Sequence, residues 1–262
     1  MGFFARWRLH KQVAAYGRVE VSEKDGVRRM HLGTDTVQSA MRVNDPFALE
    51  VAYTRSMMAF LLFNAAPRAV FMIGLGGGST AKWVYQFLPQ AHTTVVELNP
   101  EVVRIAHAYF HVPMDEERLR VVIGDGARYV EKHRESCDVL MVDGYDDTAQ
   151  AEALTTPMFY ASCRAALKPQ GVLVVNLWGS DKRFQEYVDL ISSNFDGVFL
   201  CLPAETRGNV IVFAFERSPN MPKWDELRAR AGGMEAQYGL EFLRFVEGFK
   251  KLNLHNENRL LI

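Results

Sequence analysis

The sequence is poor in cysteine, has almost no net charge and contains no long apolar run. Its three cysteines, Cys137, Cys163 and Cys201, are widely spaced and odd in number. That excludes a disulfide framework and fits a reducing cytoplasm, with each thiol a small buried apolar side chain. A formal net charge of −1 gives no bulk attraction to nucleic acid or to an anionic membrane. No segment approaches transmembrane length. Met1 to Gln12 is basic and aromatic but lacks the continuous apolar core and small-residue cleavage site of a secretion signal. Internal repeats and low-complexity tracts are missing. His107 and His111 stand four apart without a third ligand or a glutamate-containing zinc motif, so they are read as surface histidines and no metal is expected. Ser79 and Thr80 are not preceded by the lysine of a phosphate-binding loop, which argues against nucleoside triphosphate hydrolysis.

What is present is enough apolar sequence for a real core and a strong alternation of elements. The 262 residues, 48% of them hydrophobic, suffice for one large α/β unit and a smaller piece. Residues 17–41 read as short antiparallel strands, with Val19 and Val21 alternating with polar residues and Asp25-Gly26 as a hairpin turn. Asp45-Pro46 is expected to open a helix reaching Phe63. From Ala69 strands and helices alternate: strands at 70–73, 93–97, 119–123, 139–142 and 172–176, each followed by a helical segment. Such alternation implies a parallel sheet covered on both faces. The last two strands, 198–202 and 210–215, are joined by a link too short for a crossover helix and should be antiparallel. Residues 223–253 form one or two amphipathic helices, with Phe242, Phe245, Val246 and Phe249 on one face. The expected organisation is a small β unit over 1–45, a Rossmann-like cofactor-binding and catalytic domain over 46–218, and C-terminal helices over 219–262 packed on that domain or on a dimer interface.

The most informative stretch is Val70 to Thr80. An apolar strand stops at Gly74, Gly76, Gly77 and Gly78, and a helix follows. A turn with so little side-chain cover lets a ligand approach the main chain at the carboxyl edge of the sheet. Glu97 ends the next strand about twenty residues on, the spacing of an acid that accepts from ribose hydroxyls. Asp125, followed by Gly126, ends the third strand and is suited to an adenine amino group. Asp143 ends the fourth, where a reacting group should lie. Three carboxylates on one rim suit a sulfonium cation, whereas a pyrophosphate would call for basic groups. The class I S-adenosylmethionine-dependent transferase sheet therefore fits better than a nicotinamide dehydrogenase, whose last fingerprint glycine is here Ser79.

These residues resemble the spermidine synthase family of polyamine aminopropyltransferases over roughly Gly17 to Phe215. The glycine turn, Val96-Glu97-Leu98-Asn99, Gly124-Asp125-Gly126 and Asp143-Gly144-Tyr145-Asp146 stand in the family's order, and Leu154 to Tyr160 matches a further family segment. Gln38 and Tyr53 correspond to a glutamine of the family's N-terminal β unit and a tyrosine on the helix after it. The resemblance implies a cytoplasmic aminopropyltransferase of polyamine biosynthesis, often dimeric. In it Gln38, Gly74, Gly76, Gly78, Glu97, Asp125 and Gly126 hold decarboxylated S-adenosylmethionine. Asp143 takes a proton from the acceptor amine, and Tyr53 and Asp146 bind that amine. The chain departs from the pattern at Gly77 (commonly Asp), Arg55 (Glu) and Glu205-Thr206-Arg207 (a Tyr-Pro segment). Two alternatives remain on the same fold: a methyltransferase, with Arg55 receiving the carboxylate of S-adenosylmethionine, and a non-catalytic adenosyl-ligand-binding protein.

Overall fold

A computed structural model describes residues 7–14, 17–33, 36–114, 117–144, 152–204 and 208–262. Two sheets organise it. The first strands, β1 (Trp7–Ala14), β2 (Gly17–Lys24), β3 (Val27–Leu32) and β4 (Ser39–Arg42), form an antiparallel meander in that order. The predicted hairpin is there, with Asp25 and Gly26 both at positive φ between β2 and β3. The small sheet also takes in β1, N-terminal to the expected start.

The second sheet has seven strands. In chain order they are β5 (Ala69–Ile73), β6 (His92–Glu97), β7 (Leu119–Ile123), β8 (Cys137–Val142), β9 (Leu167–Trp178), β10 (Phe199–Pro203) and β11 (Asn209–Phe215). Their spatial order is β10-β11-β9-β8-β5-β6-β7, and β11 runs antiparallel to both β9 and β10. The chain leaves β5 toward β6 and β7, then returns to place β8 on the other side of β5. Ligands in open α/β sheets bind at this kind of switch point.

Helices α1 (Ala52–Met57), α2 (Ser79–Phe87), α3 (Pro100–Tyr109), α7 (Trp224–Tyr238) and α8 (Phe242–Phe249) cover one face. The other carries α4 (Gly126–Glu131), α5 (Pro157–Ala166) and α6 (Phe184–Asn194). Strand side chains divide with period two. Val70, Met72, Val139, Met141, Val172 and Val174 enter the first layer, and Phe71, Ile73, Leu140, Val142, Leu173 and Val175 the second. The C-terminal stripe is consumed inside the chain. Phe242, Phe245, Val246 and Phe249 are all buried, and Phe249 meets Phe63 and Phe213 edge-on.

One boundary differs from expectation. The helix predicted from Pro46 begins only at Ala52, and its last turn is a 3-10 helix over Met58–Leu62. The intervening carbonyls are taken by distant donors: Lys82 Nζ binds Pro46 O at 2.7 Å, and one Arg55 terminal nitrogen binds Leu49 O and Glu50 O at 3.1 Å each. Among the described residues no helix is long and apolar enough to cross a membrane, and the three cysteines are free and buried.

Candidate active site

Register across the sheet builds the site. Val96, Ile73, Val142 and Val175 lie on one rung of β6, β5, β8 and β9, all facing the α4–α6 layer. The next residue of each strand must face the opposite layer. Those residues are Glu97, Gly74, Asp143 and Asn176, so two acids, the first glycine of the turn and a buried amide form one rim facing α1.

The turn after β5 runs through Gly74, Gly76 and Gly78 at φ +92°, +51° and +70°. Space makes the same demand at Gly74, where a Cβ would stand 2.3 Å from Asp143 O. Glu97 ties the turn down: its Oε2 accepts Leu75 N–H at 2.8 Å and its Oε1 accepts Asn99 N–H at 2.9 Å. Burial raises the Glu97 carboxyl above its ordinary value, with the backbone N–H groups of Asn99, Leu75, Gly76 and Leu98 opposing the rise. The small sheet supports the turn from the other side. Ser39 Oγ accepts Gly77 N–H at 2.8 Å, and a Cβ on Gly77 would lie 2.8 Å from the Phe110 ring and 3.0 Å from Ser39 Cβ. A side chain such as Asp at 77 has no room here, which accounts for the glycine at that departure from the family pattern.

Asp125 is first a helix cap. Its Oδ1 accepts Ala127 N–H at 2.9 Å and Arg128 N–H at 3.3 Å at the start of α4, while Oδ2 lies 3.7 Å from Arg128 Nε. Gly126 is obligatory beside it, because a Cβ there would meet Ile73 Cγ2 at 2.4 Å. Among the described residues Asp143 caps no helix. Tyr53, on α1, donates its hydroxyl to Asp143 Oδ2 at 3.0 Å, and Asn176 Nδ2 donates to Oδ1 at 2.9 Å. Burial pushes the Asp143 carboxyl above the usual aspartate value, and these two donors partly offset it.

All of this opens on one cavity of about 340 Å³. Gln38, Tyr53, Gly74, Gly76, Glu97, Asp125, Gly126 and Asp143 line it, so the expected residues converge. Gly78 is not among the lining residues. It is the left-handed residue before α2 and packs on Val112, so it shapes the turn from behind. Asp146 and residues 205–207 lie outside the described residues. Arg55 does not line the cavity: its Nε pairs with Glu241 Oε1 at 2.7 Å. Sequence reasoning missed Ser39 and Asn176. The second left a signal, a polar residue interrupting the apolar run of β9 beside the strand that leads into Asp143.

The lining contains three carboxylates and, among the described residues, no lysine or arginine. An adenosyl sulfonium fits such a set better than a pyrophosphate. No cluster of three or more metal-ligating side chains occurs among the described residues.

With this geometry in view, comparison with known proteins decides the family. The spermine/spermidine synthase domain matches residues 50–218. The chain belongs to the spermine/spermidine synthase family. It is 42% identical to a polyamine aminopropyltransferase of Chromobacterium violaceum over 257 residues, covering 98% of each chain. It is 41% identical to a polyamine aminopropyltransferase of Neisseria meningitidis serogroup A over 250 residues, 95% of each. A crystal structure of spermidine synthase with the transition-state analogue AdoDATO shares the fold, with a TM-score of 0.73 at 23% identity over 93% of this chain and 85% of that one.

Proposed function

We propose that Asp143 is the proton acceptor of the reaction, in a cavity where the glycine turn, Glu97, Asp125 and Gln38 hold decarboxylated S-adenosylmethionine. The activity is that of the family: an aminopropyl group moves from this donor to an amine acceptor, and the chain is a transferase. The observation that supports the residue roles is the rim on which Glu97, Gly74 and Asp143 stand side by side, with Tyr53 over the last.

The donor supplies a methylene made electrophilic by its sulfonium: the C–N bond forms as the C–S bond breaks, the bonding pair stays on sulfur, and a neutral thioether leaves. The protein must deliver a free amine, although alkylammonium groups titrate near 10. A buried carboxylate with its affinity for protons raised suits that removal. Asp143 is held from both oxygens, so its remaining lone pairs point in fixed directions. Glu97 does two jobs, tying the turn and offering lone pairs to ribose hydroxyls. Asp125 keeps Oδ2 for an adenine amino group after Oδ1 has capped α4. Tyr53 and Asp146 are assigned to the amine acceptor. Positioning two reactants in line contributes several kcal/mol of the barrier reduction. The methyltransferase alternative offered Arg55 as a group to receive the donor's carboxylate, and that side chain is engaged with Glu241.

Location in the cytoplasm belongs to the same reading, supported by the three buried free thiols. A homodimer would have to use surfaces other than the aromatic face of α8. Sedimentation velocity checks that point.

The test of the activity is incubation of the purified protein with decarboxylated S-adenosylmethionine and a panel of diamines and polyamines. Methylthioadenosine should appear with at least one acceptor. A folded protein that releases none with any amine overturns the reading. Calorimetry should show tighter binding of the decarboxylated donor than of S-adenosylmethionine.

A further inference from the structure

Behind Asp143 lies a residue that lines no part of the cavity. Asn209, the first residue of β11, donates from Nδ2 to Asn176 Oδ1 at 2.9 Å, and Asn176 donates from its own Nδ2 to Asp143 Oδ1 at 2.9 Å. With Tyr53 the four side chains form one chain of three hydrogen bonds drawn from α1, the β8 end, β9 and β11. The sheet register makes this contact. Asn176 pairs with Ile211, so Asn209, two residues away, is its diagonal neighbour on the same face.

We propose that Asn209 is a positioning residue for the reaction: through Asn176 it locks the orientation in which an amide N–H, rather than an amide oxygen, faces the Asp143 carboxylate. The inference rests on the reading of Asp143 as the proton acceptor.

The argument is one of donor and acceptor inventory. An asparagine amide can rotate by half a turn with almost no change of shape, exchanging a donor for an acceptor. A carboxylate can only accept, so Asn176 must present Nδ2 to Asp143. Its Oδ1 then faces away and needs a donor. Asn209 supplies a donor from a fixed strand position, which disfavours the half-turn. Asn176 is 2% exposed, so bulk water offers no ready substitute. If the amide turned, two oxygens would face each other in a desolvated site, and the ionised form of Asp143 would lose a donor it depends on.

The inference predicts a specific kinetic signature. Removing the Asn209 donor should disfavour the ionised carboxylate, so the acidic limb of the kcat–pH profile should move toward higher pH. At neutral pH kcat should fall roughly ten-fold, in keeping with the weakening of the hydrogen bond that Asn176, no longer locked, makes to the Asp143 carboxylate. KM for the donor should hardly change, because β9 and β8 stand between Asn209 on β11 and the glycine turn after β5. Asn209→Ala is the direct variant. Asn209→Asp is the stricter one, since it keeps the shape and offers only oxygens to Asn176 Oδ1; its shift should be at least as large.

The experiment is a set of kcat–pH profiles for wild type, Asn209→Ala, Asn209→Asp, Asp143→Asn and the double variant Asn209→Ala/Asp143→Asn, with thermal melts to confirm folding. Shifted acidic limbs in both single Asn209 variants, with no further loss when Asn209→Ala is added to Asp143→Asn, support the inference. Unmoved profiles in folded Asn209 variants, or a loss that simply multiplies with that of Asp143→Asn, overturn it while leaving the Asp143 reading intact. A fully active Asp143→Asn enzyme overturns that reading instead.

Discussion

Gly74 and Asp143 meet backbone to backbone, with no room for a side chain between them. A Cβ on Gly74 would sit 2.3 Å from the Asp143 carbonyl oxygen and 3.1 Å from its carbon. The two residues are neighbours because Ile73 and Val142 pair across β5 and β8. The proposed donor-binding turn and the proposed proton acceptor thus share one wall, and the strand that carries one limits what the other can be. Gly74→Ala should fail twice. Its φ of +92° is unfavourable for any residue with a Cβ, and the methyl strikes backbone that cannot rotate aside. Overpacking of this kind costs about 1–3 kcal/mol, and the backbone strain adds about 1–2 kcal/mol. Urea denaturation should register the sum, and donor KM should rise with it.

Asp143→Asn separates catalysis from stability. Loss of the proposed proton acceptor should lower kcat by about 10²–10⁴-fold. Stability should move the other way. Burial raises this carboxyl, so the folded protein keeps the proton at pH values where the unfolded chain has released it. The resulting stabilisation is complete below the ordinary aspartate range and disappears as pH rises through the folded value. Above that folded value the ligand-free enzyme carries an ionised buried group at a cost, which the asparagine variant avoids. Its Tm should therefore gain on that of wild type as pH rises, and the difference should shrink in acid.

Much of this site was legible before any coordinates, for a physical reason. A glycine turn and three acids at successive strand ends need only the period of a strand and the open edge of a parallel sheet to be brought together. Glu97 and Asp143 share a face because each follows an inward-facing apolar residue, Val96 and Val142. Other features depend on contacts between segments far apart in sequence. Pro46 looks like a helix start, but its carbonyl is claimed by Lys82, 36 residues away. Ser39 reads as an ordinary strand residue until the small sheet places its hydroxyl against Gly77 N–H. Arg55 departs from the family pattern and invited a role at the donor. Its partner, Glu241, is 186 residues downstream at the start of α8. No local pattern encodes such a pairing.

That pairing makes its own prediction. Arg55 is about a quarter exposed, at 23%, and Glu241 is similar at 29%. The guanidinium also holds Leu49 O and Glu50 O ahead of α1. Arg55→Met should lower stability by about 1–3 kcal/mol through the lost charged hydrogen bonds. Calorimetry should find the preference for decarboxylated over carboxylated donor unchanged. A reversal of that preference would return Arg55 to the donor site.

Glu97→Gln tests the double duty of that side chain. Both oxygens accept backbone N–H groups, Oε2 from Leu75 and Oε1 from Asn99. A glutamine must turn its NH₂ toward one of these donors, so the turn itself is disturbed along with the proposed ribose contact. Charged hydrogen bonds contribute about 1.5–3 kcal/mol each. Donor affinity should fall by one to two orders of magnitude, read by calorimetry with methylthioadenosine, whereas acceptor KM should be little affected.

Lys82 is fully buried on α2, and its pH behaviour can be predicted with a definite sign. Its ammonium donates to Pro46 O and Phe110 O at 2.7 Å each, and burial lowers it to about 8. The folded protein gives up this proton at a pH where the unfolded chain still holds it, since a free lysine titrates near 10.4. Stability from this group should therefore rise as pH climbs from about 8 toward the unperturbed lysine value. The neutral amine still has two hydrogens for its two carbonyls, so deprotonation removes a buried charge without breaking the contacts. Lys82→Met should abolish the rise. At pH 7.5 its net effect is the difference between two terms, the buried charge relieved and two carbonyls left without a donor at about 1–3 kcal/mol each. The difference between urea midpoints at pH 7.5 and 10.5 isolates the first term. A second consequence follows from position. Lys82 anchors Phe110, whose ring lies where any side chain on Gly77 would go. Loosening that anchor should raise donor KM in Lys82→Met more than it lowers kcat. A variant whose midpoints still diverge with pH as in wild type would assign the titration to another group.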